Sequence, residues 1–267
     1  MGKEQFSRPR LERMHEIMAR HVGPDRVAGL ITLVERRGEI HVDVIGKQAD
    51  EGRPLQRDAI FRITSLSKPI GAALAMILVE ECLLRLDDPI ERLLPELANR
   101  QVMTSLDGPL DQTVPANRPI TLRDLLTFRL GLGLHFTPAG LGPINLAMNQ
   151  LELGQGAPSP QAAPGQDEWL RRLGTLPLAH QPGERWMYNT GADLLGPLIS
   201  RAAGQPLEIV LKERLLDPLG MKDTSFSVPA NKLDRFTTSY GTDWQTGQRV
   251  VFDEAAGGQW DTSPPLP

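Results

Sequence analysis

One cysteine occurs in 267 residues, Cys82, so the chain can close no internal disulfide and build no multi-cysteine zinc site. Its neighbours Leu83 and Leu84 lead us to expect a buried, inert thiol. Long apolar runs are missing too. The longest, from Ile70 to Val79, ends at Glu80-Glu81, far short of the ~20 residues that span a bilayer. The start, Met1-Gly2-Lys3-Glu4-Gln5-Phe6, has neither an apolar stretch nor a small-residue cleavage site, so a cytoplasmic chain without a membrane span is expected. A net charge of −4 offers no electrostatic footprint for nucleic acid. No Gly-x-Ser-x-Gly occurs, which excludes the nucleophile elbow of one large hydrolase class. His15 and His21 are six residues apart, not the four of a zinc-protease helix, and neither a metal nor another cofactor is expected.

What the chain does have is length for a substantial core and a helical pattern through most of it. Helical spacing of Leu11, Met14, Ile17 and Met18 predicts an amphipathic helix over 8–21. Val27 to Glu35, a turn at Arg37-Gly38, and alternation of Ile40, Val42 and Val44 with His41 and Asp43 predict a hairpin. From Ile70 to Leu86 nearly every position is apolar or small, so that helix is expected to be buried on most sides. Thr121, followed three residues later by Asp124, predicts a capped helix start. Helices are also expected from about 192 to 203, stopped by Gly204, and from 207 to 216. A small hairpin should join Thr237–Tyr240 to Val250–Phe252.

Ser65-Leu66-Ser67-Lys68 opens the most apolar of these helices. Residues three apart on a helix share one face, so an amine stands beside a hydroxyl, and a serine can be made nucleophilic without histidine. Only a free amine can act as the base. Bringing a lysine from ~10.4 to ~7–8 costs about 3–4 kcal/mol, which burial and a helix N-terminus can supply. Chance alone gives a Ser-x-x-Lys in roughly one such chain in five, so neighbouring signals must carry the reading. A second element, Gln181 to Gly191, sets polar Tyr188-Asn189-Thr190 between a Pro-Gly turn and a helix. A phenol near an ammonium can relay protons, and Asn189 or Thr190 can hold a substrate carbonyl.

Phe61 to Pro69, Leu86-Asp87-Asp88-Pro89, Ile120 to Leu126, Pro182 to Gly196 and Leu216 to Thr224 together resemble the serine β-lactamase and D,D-peptidase-like superfamily. The nearest resemblance is to its class C β-lactamase and family VIII carboxylesterase branch. It covers residues from about 10 to 265. The resemblance implies an α+β fold, an antiparallel sheet flanked by helices with a large helical subdomain. Residues 1–63 would supply a helix and a hairpin, and 64–267 the mainly helical part, within one integrated domain. It also implies an acyl-enzyme on Ser65, with Lys68 and Tyr188 exchanging its proton and the Ser65 N–H serving as one oxyanion donor. Asn189 and Thr190 would bind substrate.

Two departures stand against that pattern. The family's Tyr-x-Asn is here Tyr188-Asn189-Thr190, so either Thr190 takes the Asn position or a deletion brings Asn189 into it. The third family motif, Lys-Thr-Gly or a Gly-rich equivalent, is not found, and the strands and helix that would carry it are expected to be missing. The sheet would then be unfinished, its edge open to self-association. The reading is a serine hydrolase acting on a small-molecule ester, amide or β-lactam, with esters favoured. A catalytically inactive binding remnant and a penicillin-binding, D,D-carboxypeptidase-like protein are the alternatives.

Overall fold

The computed structural model describes residues 6–137, 140–154, 160–161, 163–243 and 245–261. Contacts divide them into two compact units, one holding the described residues up to Arg62 and from Ser227 on, the other Ile63–Phe226. The sequence reading ran the helical part on to residue 267. The difference has a physical source in Arg62, whose Nε donates to Asp253 Oδ2 at 2.7 Å and whose Nη1 donates to the Thr237 carbonyl at 2.5 Å. Both charged side chains are buried, and the guanidinium lies 3.9 Å over the Phe236 ring. A buried pair of this kind is costly to break, so residues 237–253 stay with residue 62.

In this first unit α1 (Arg8–Ala19) has Pro9 in its first turn, where the missing N–H costs nothing. Strands β1 (Gly29–Arg36) and β2 (Glu39–Gly46) pair antiparallel from Gly29 with Gly46 to Arg36 with Glu39. Arg37 and Gly38 close the hairpin, both with positive φ (52° and 83°), the two-residue turn whose twist suits flanking strands. Leu33 and Ile40 are exposed on this hairpin. A second antiparallel hairpin pairs Ser239–Thr242 with Arg249–Asp253, and Ile60, Val228 and Phe236 form a small core. Among the described residues each sheet has two strands.

The second unit is helical. It contains α2 (Ser67–Glu80), α3 (Leu122–Leu126), α4 (Pro143–Gln150), α5 (Gln166–Gly174), α6 (Thr190–Asp193), α7 (Leu195–Ala203) and α8 (Leu207–Leu211). Two short antiparallel ladders, Gln101–Met103 with Thr113–Pro115 and Phe136–Thr137 with Gly140–Leu141, lie between them. The core is aliphatic: Leu74 and Leu78 of α2, Leu125 of α3, Ile144 and Met148 of α4, Leu170 of α5 and Leu198 and Ile199 of α7 are all buried. Each such side chain contributes about 1.5–3 kcal/mol on burial.

Thr121 and Asp124 form the expected capping box at α3, and Asp124 also takes two bonds from Arg118, at 2.6 and 2.9 Å. Burial alone would raise the Asp124 carboxyl, but the bonds from Arg118 and Thr121 outweigh it and hold the group below its ordinary range. α3 packs on α6, so this cap fixes the floor beneath residues 190–193.

Two expectations are corrected. The apolar segment after Ser65 is not buried on most sides: α2 ends at Glu80, and only Leu74, Ala75 and Leu78 of it are buried. Cys82 is exposed, not buried, because the chain turns sharply there with φ 61°, lifting the thiol away while Leu84 goes inward. Among the described residues no helix is long and apolar enough to cross a membrane.

Candidate active site

Ser65 lies on a tight 3-10 turn, Thr64–Leu66, that leads directly into α2, and Lys68 follows in the helix's first turn. This places both side chains on one face. Lys68 Nζ donates to Ser65 Oγ at 3.0 Å, and Ser65 Oγ lies 3.0 Å from Tyr188 Oη. Lys68 Nζ also sits 5.0 Å from the centre of the Tyr188 ring. Ser65 is exposed and Lys68 half-buried, so the amine lacks the deep burial that the apolar segment suggested. With a lysine proton directed at Ser65 Oγ, the serine's own hydrogen is free to point at the phenol oxygen.

Tyr188 is delivered by an extended segment, residues 186–188, held on both sides. Met187 N–H donates to the Phe128 carbonyl at 2.8 Å, and Leu134 N–H donates to the Tyr188 carbonyl at 2.7 Å. Side chains alternate along such a segment, so Met187 goes into the core while Trp186 and Tyr188 emerge together. The approach on the Leu134 side needs a glycine. A Cβ on Gly133 would stand 2.6 Å from the Tyr188 carbonyl oxygen and 2.8 Å from Met187 Cβ.

Hydrogen bonds from Ser65 and then Lys68, with the Lys68 charge adding to them, hold the Tyr188 phenol below its ordinary value. Asp193 acts in the opposite sense on the same phenol.

Asn189 occupies the cap position of α6 yet makes no capping bond; its Nδ2 donates instead to Asp193 Oδ2 at 3.0 Å. Asp193 as a residue is open to solvent, but enough protein surrounds its carboxyl to push it up to about 6, against the pull of Lys68. Thr190 is buried, 3% exposed, at the start of α6. Of the two polar residues after the tyrosine, Asn189 is the accessible one.

Strain gathers here. Thr64, Phe128 and Asn189 all have positive φ (42°, 56° and 133°), and each either adjoins Ser65 or Tyr188 or packs on the latter. Non-glycine residues in such conformations cost about 1–3 kcal/mol each, and they concentrate where geometry is dictated by chemistry. Sequence reasoning brought forward Ser65, Lys68 and Tyr188, which meet, and Asn189, which lies beside them. It missed Phe128, sixty positions from Tyr188 and marked by no motif. Asp193 carried a usable signal, its spacing of four from Asn189 on a short helix.

A family model described as Beta-lactamase matches residues 14–263. A protein of Mycobacterium tuberculosis is 41% identical over 250 residues, covering 89% of this chain and 60% of its own length. Esterase EstB of Burkholderia gladioli is 35% identical, covering 80% of this chain and 50% of its own length. The chain thus spans half to three-fifths of these relatives. Among solved structures, unliganded Simvastatin Synthase (LovD) from Aspergillus terreus superposes with a TM-score of 0.73 at 25% identity, covering 96% of this chain and 64% of that one. Fold and sequence agree that this chain, with its β-lactamase/transpeptidase-like α+β architecture, belongs to the Beta-lactamase family.

Proposed function

We propose that the protein is a serine hydrolase that forms an acyl-enzyme on Ser65 and acts on carboxylic esters, with amides and β-lactams as the related substrate class. The observation that carries this reading is the pair of 3.0 Å contacts linking Lys68, Ser65 and Tyr188. Ser65 Oγ attacks the carbonyl carbon as its proton passes to Tyr188, whose phenolate form is favoured by the adjacent ammonium. The new C–O bond leaves an oxyanion facing the Ser65 N–H. Its collapse breaks the bond to the leaving group, which takes the proton from Tyr188. Water then attacks the acyl-enzyme by the same proton route, releasing the acid and restoring Ser65. Lys68 thereby serves as the fixed charge that keeps the phenol acidic and the serine oriented. In this reading Asn189 bonds the substrate's carbonyl side. The esterase among the relatives supports esters over the other members of the class.

The test is covalent labelling with a fluorophosphonate, followed by p-nitrophenyl butyrate hydrolysis with its acyl burst. Label on Ser65, lost in Ser65→Ala together with the burst, supports the reading. A folded, monodisperse sample that takes no label rejects it and leaves the binding-remnant alternative. A stable penicillin adduct with little ester turnover would move the assignment to the D,D-peptidase-like alternative.

A further inference from the structure

The buried core of the helical unit contains no aromatic ring among the described residues, yet three rings meet around Tyr188, whose hydroxyl contacts Ser65. Phe128 stacks on Tyr188 with centroids 5.9 Å apart and planes 22° from parallel. Trp186 touches both, 6.0 Å from each centroid. This cluster is built at some expense. Phe128 holds its ring there from a left-handed backbone, and its carbonyl fixes the extended segment that carries the other two. Trp186 is nevertheless 61% exposed. A large ring that is ordered by two aromatic neighbours and still open to solvent offers a flat apolar surface beside the phenol that contacts the nucleophile.

We infer that Trp186 and Phe128 form a subsite for an aryl or similarly flat apolar group on the alcohol portion of an ester, an inference resting on the hydrolase reading above. The side of the ester follows from the chemistry. Tyr188 Oη must contact the leaving oxygen to protonate it, so the substituent on that oxygen departs from beside the Tyr188 ring, where Trp186 and Phe128 lie. The acyl substituent is bonded instead to the carbon held by Ser65. Aryl contact with the Trp186 face adds binding that a small alkyl alcohol cannot obtain.

The experiment compares burst-phase acylation of the full chain by 2-naphthyl acetate and 2,2,2-trifluoroethyl acetate, in wild type, Trp186→Ala and Trp186→Phe. Taking each variant relative to wild type cancels the esters' intrinsic reactivity. The aryl-to-alkyl rate ratio should fall about tenfold in Trp186→Ala and recover in Trp186→Phe. A ratio that does not move overturns the subsite, and a loss found with methyl 2-naphthoate in place of 2-naphthyl acetate overturns its assignment to the alcohol side. Calorimetric titration with 2-naphthol separates the two readings. Binding to wild type and Ser65→Ala, lost in Trp186→Ala, sustains the aryl surface even where no ester acylates Ser65, in which case the hydrolase reading falls. Acylation without naphthol binding removes the surface and keeps the hydrolase.

Discussion

Asn189 Nδ2 and Asp193 Oδ2 are hydrogen-bonded at 3.0 Å, one turn of α6 apart, with Tyr188 immediately before the asparagine. The bond ties a strained backbone residue to a carboxylate whose charge opposes ionisation of the phenol. Asp193→Asn keeps an oxygen to accept that bond and removes the charge. Acylation that depends on the phenolate should then reach its plateau at lower pH, and the rising limb of the pH–rate profile should move in the acid direction. Asp193→Ala, which loses the bond as well, should lower the plateau itself.

The same carboxyl makes a stability prediction with a definite sign. A carboxyl raised to about 6 in the folded chain, against 3.8 in the unfolded one, holds its proton more tightly when folded. Its contribution is favourable at low pH and is lost as pH climbs from about 4 to about 6. Thermal melts of wild type and Asp193→Asn should therefore diverge across that window, the variant gaining relative to wild type as pH rises. Parallel curves would show that the carboxyl titrates as it does in the unfolded chain.

Tyr188→Phe preserves the ring that stacks on Phe128 and removes only the oxygen facing Ser65. Acylation by p-nitrophenyl butyrate should fall by about 10²–10⁴, the range general acid–base groups contribute, with the melting temperature nearly constant. Retained activity would transfer the proton role to Lys68 alone.

Gly133→Ala places a methyl group against backbone and Met187 at distances no real Cβ tolerates, so the segment bearing Tyr188 must shift. Overpacking of this kind costs about 1–3 kcal/mol. Fluorophosphonate labelling of Ser65 should slow in the folded variant, since the serine–phenol contact depends on that segment's position.

Asp124→Ala removes the box at α3 and leaves Arg118 without its carboxylate partner. Urea unfolding should show a loss of about 2–4 kcal/mol at neutral pH. Because the folded carboxyl is held low, the wild-type advantage should be complete above about 4 and shrink as the carboxyl protonates in acid.

Local chemistry made part of this legible from residues alone. Arg37-Gly38 named its turn, Thr121 and Asp124 their cap, Gly204 the end of α7, and Ser65 and Lys68 their shared face, because each signal acts over four residues or fewer. What failed was anything set by distant contacts. Glu80-Glu81 marked the end of the apolar run, but Leu83, Leu84 and Leu86 beyond it carried the apolar pattern on, and nothing local announced that Cys82 turns outward. Thr64 and Phe128 adopt left-handed backbone without being glycine or asparagine, a conformation that only surrounding structure can impose. The same local apolarity overstated how far Lys68 would be enclosed.

The outward turn at Cys82 makes the molecule its own ruler. A maleimide dye can attach at one thiol only, just past the far end of the rod that begins at Ser67, while an active-site-directed dye would attach at Ser65. Fourteen helical residues at 1.5 Å each set the fluorophores about 20 Å apart, so energy transfer between them would report whether that rod stays intact while the serine is occupied.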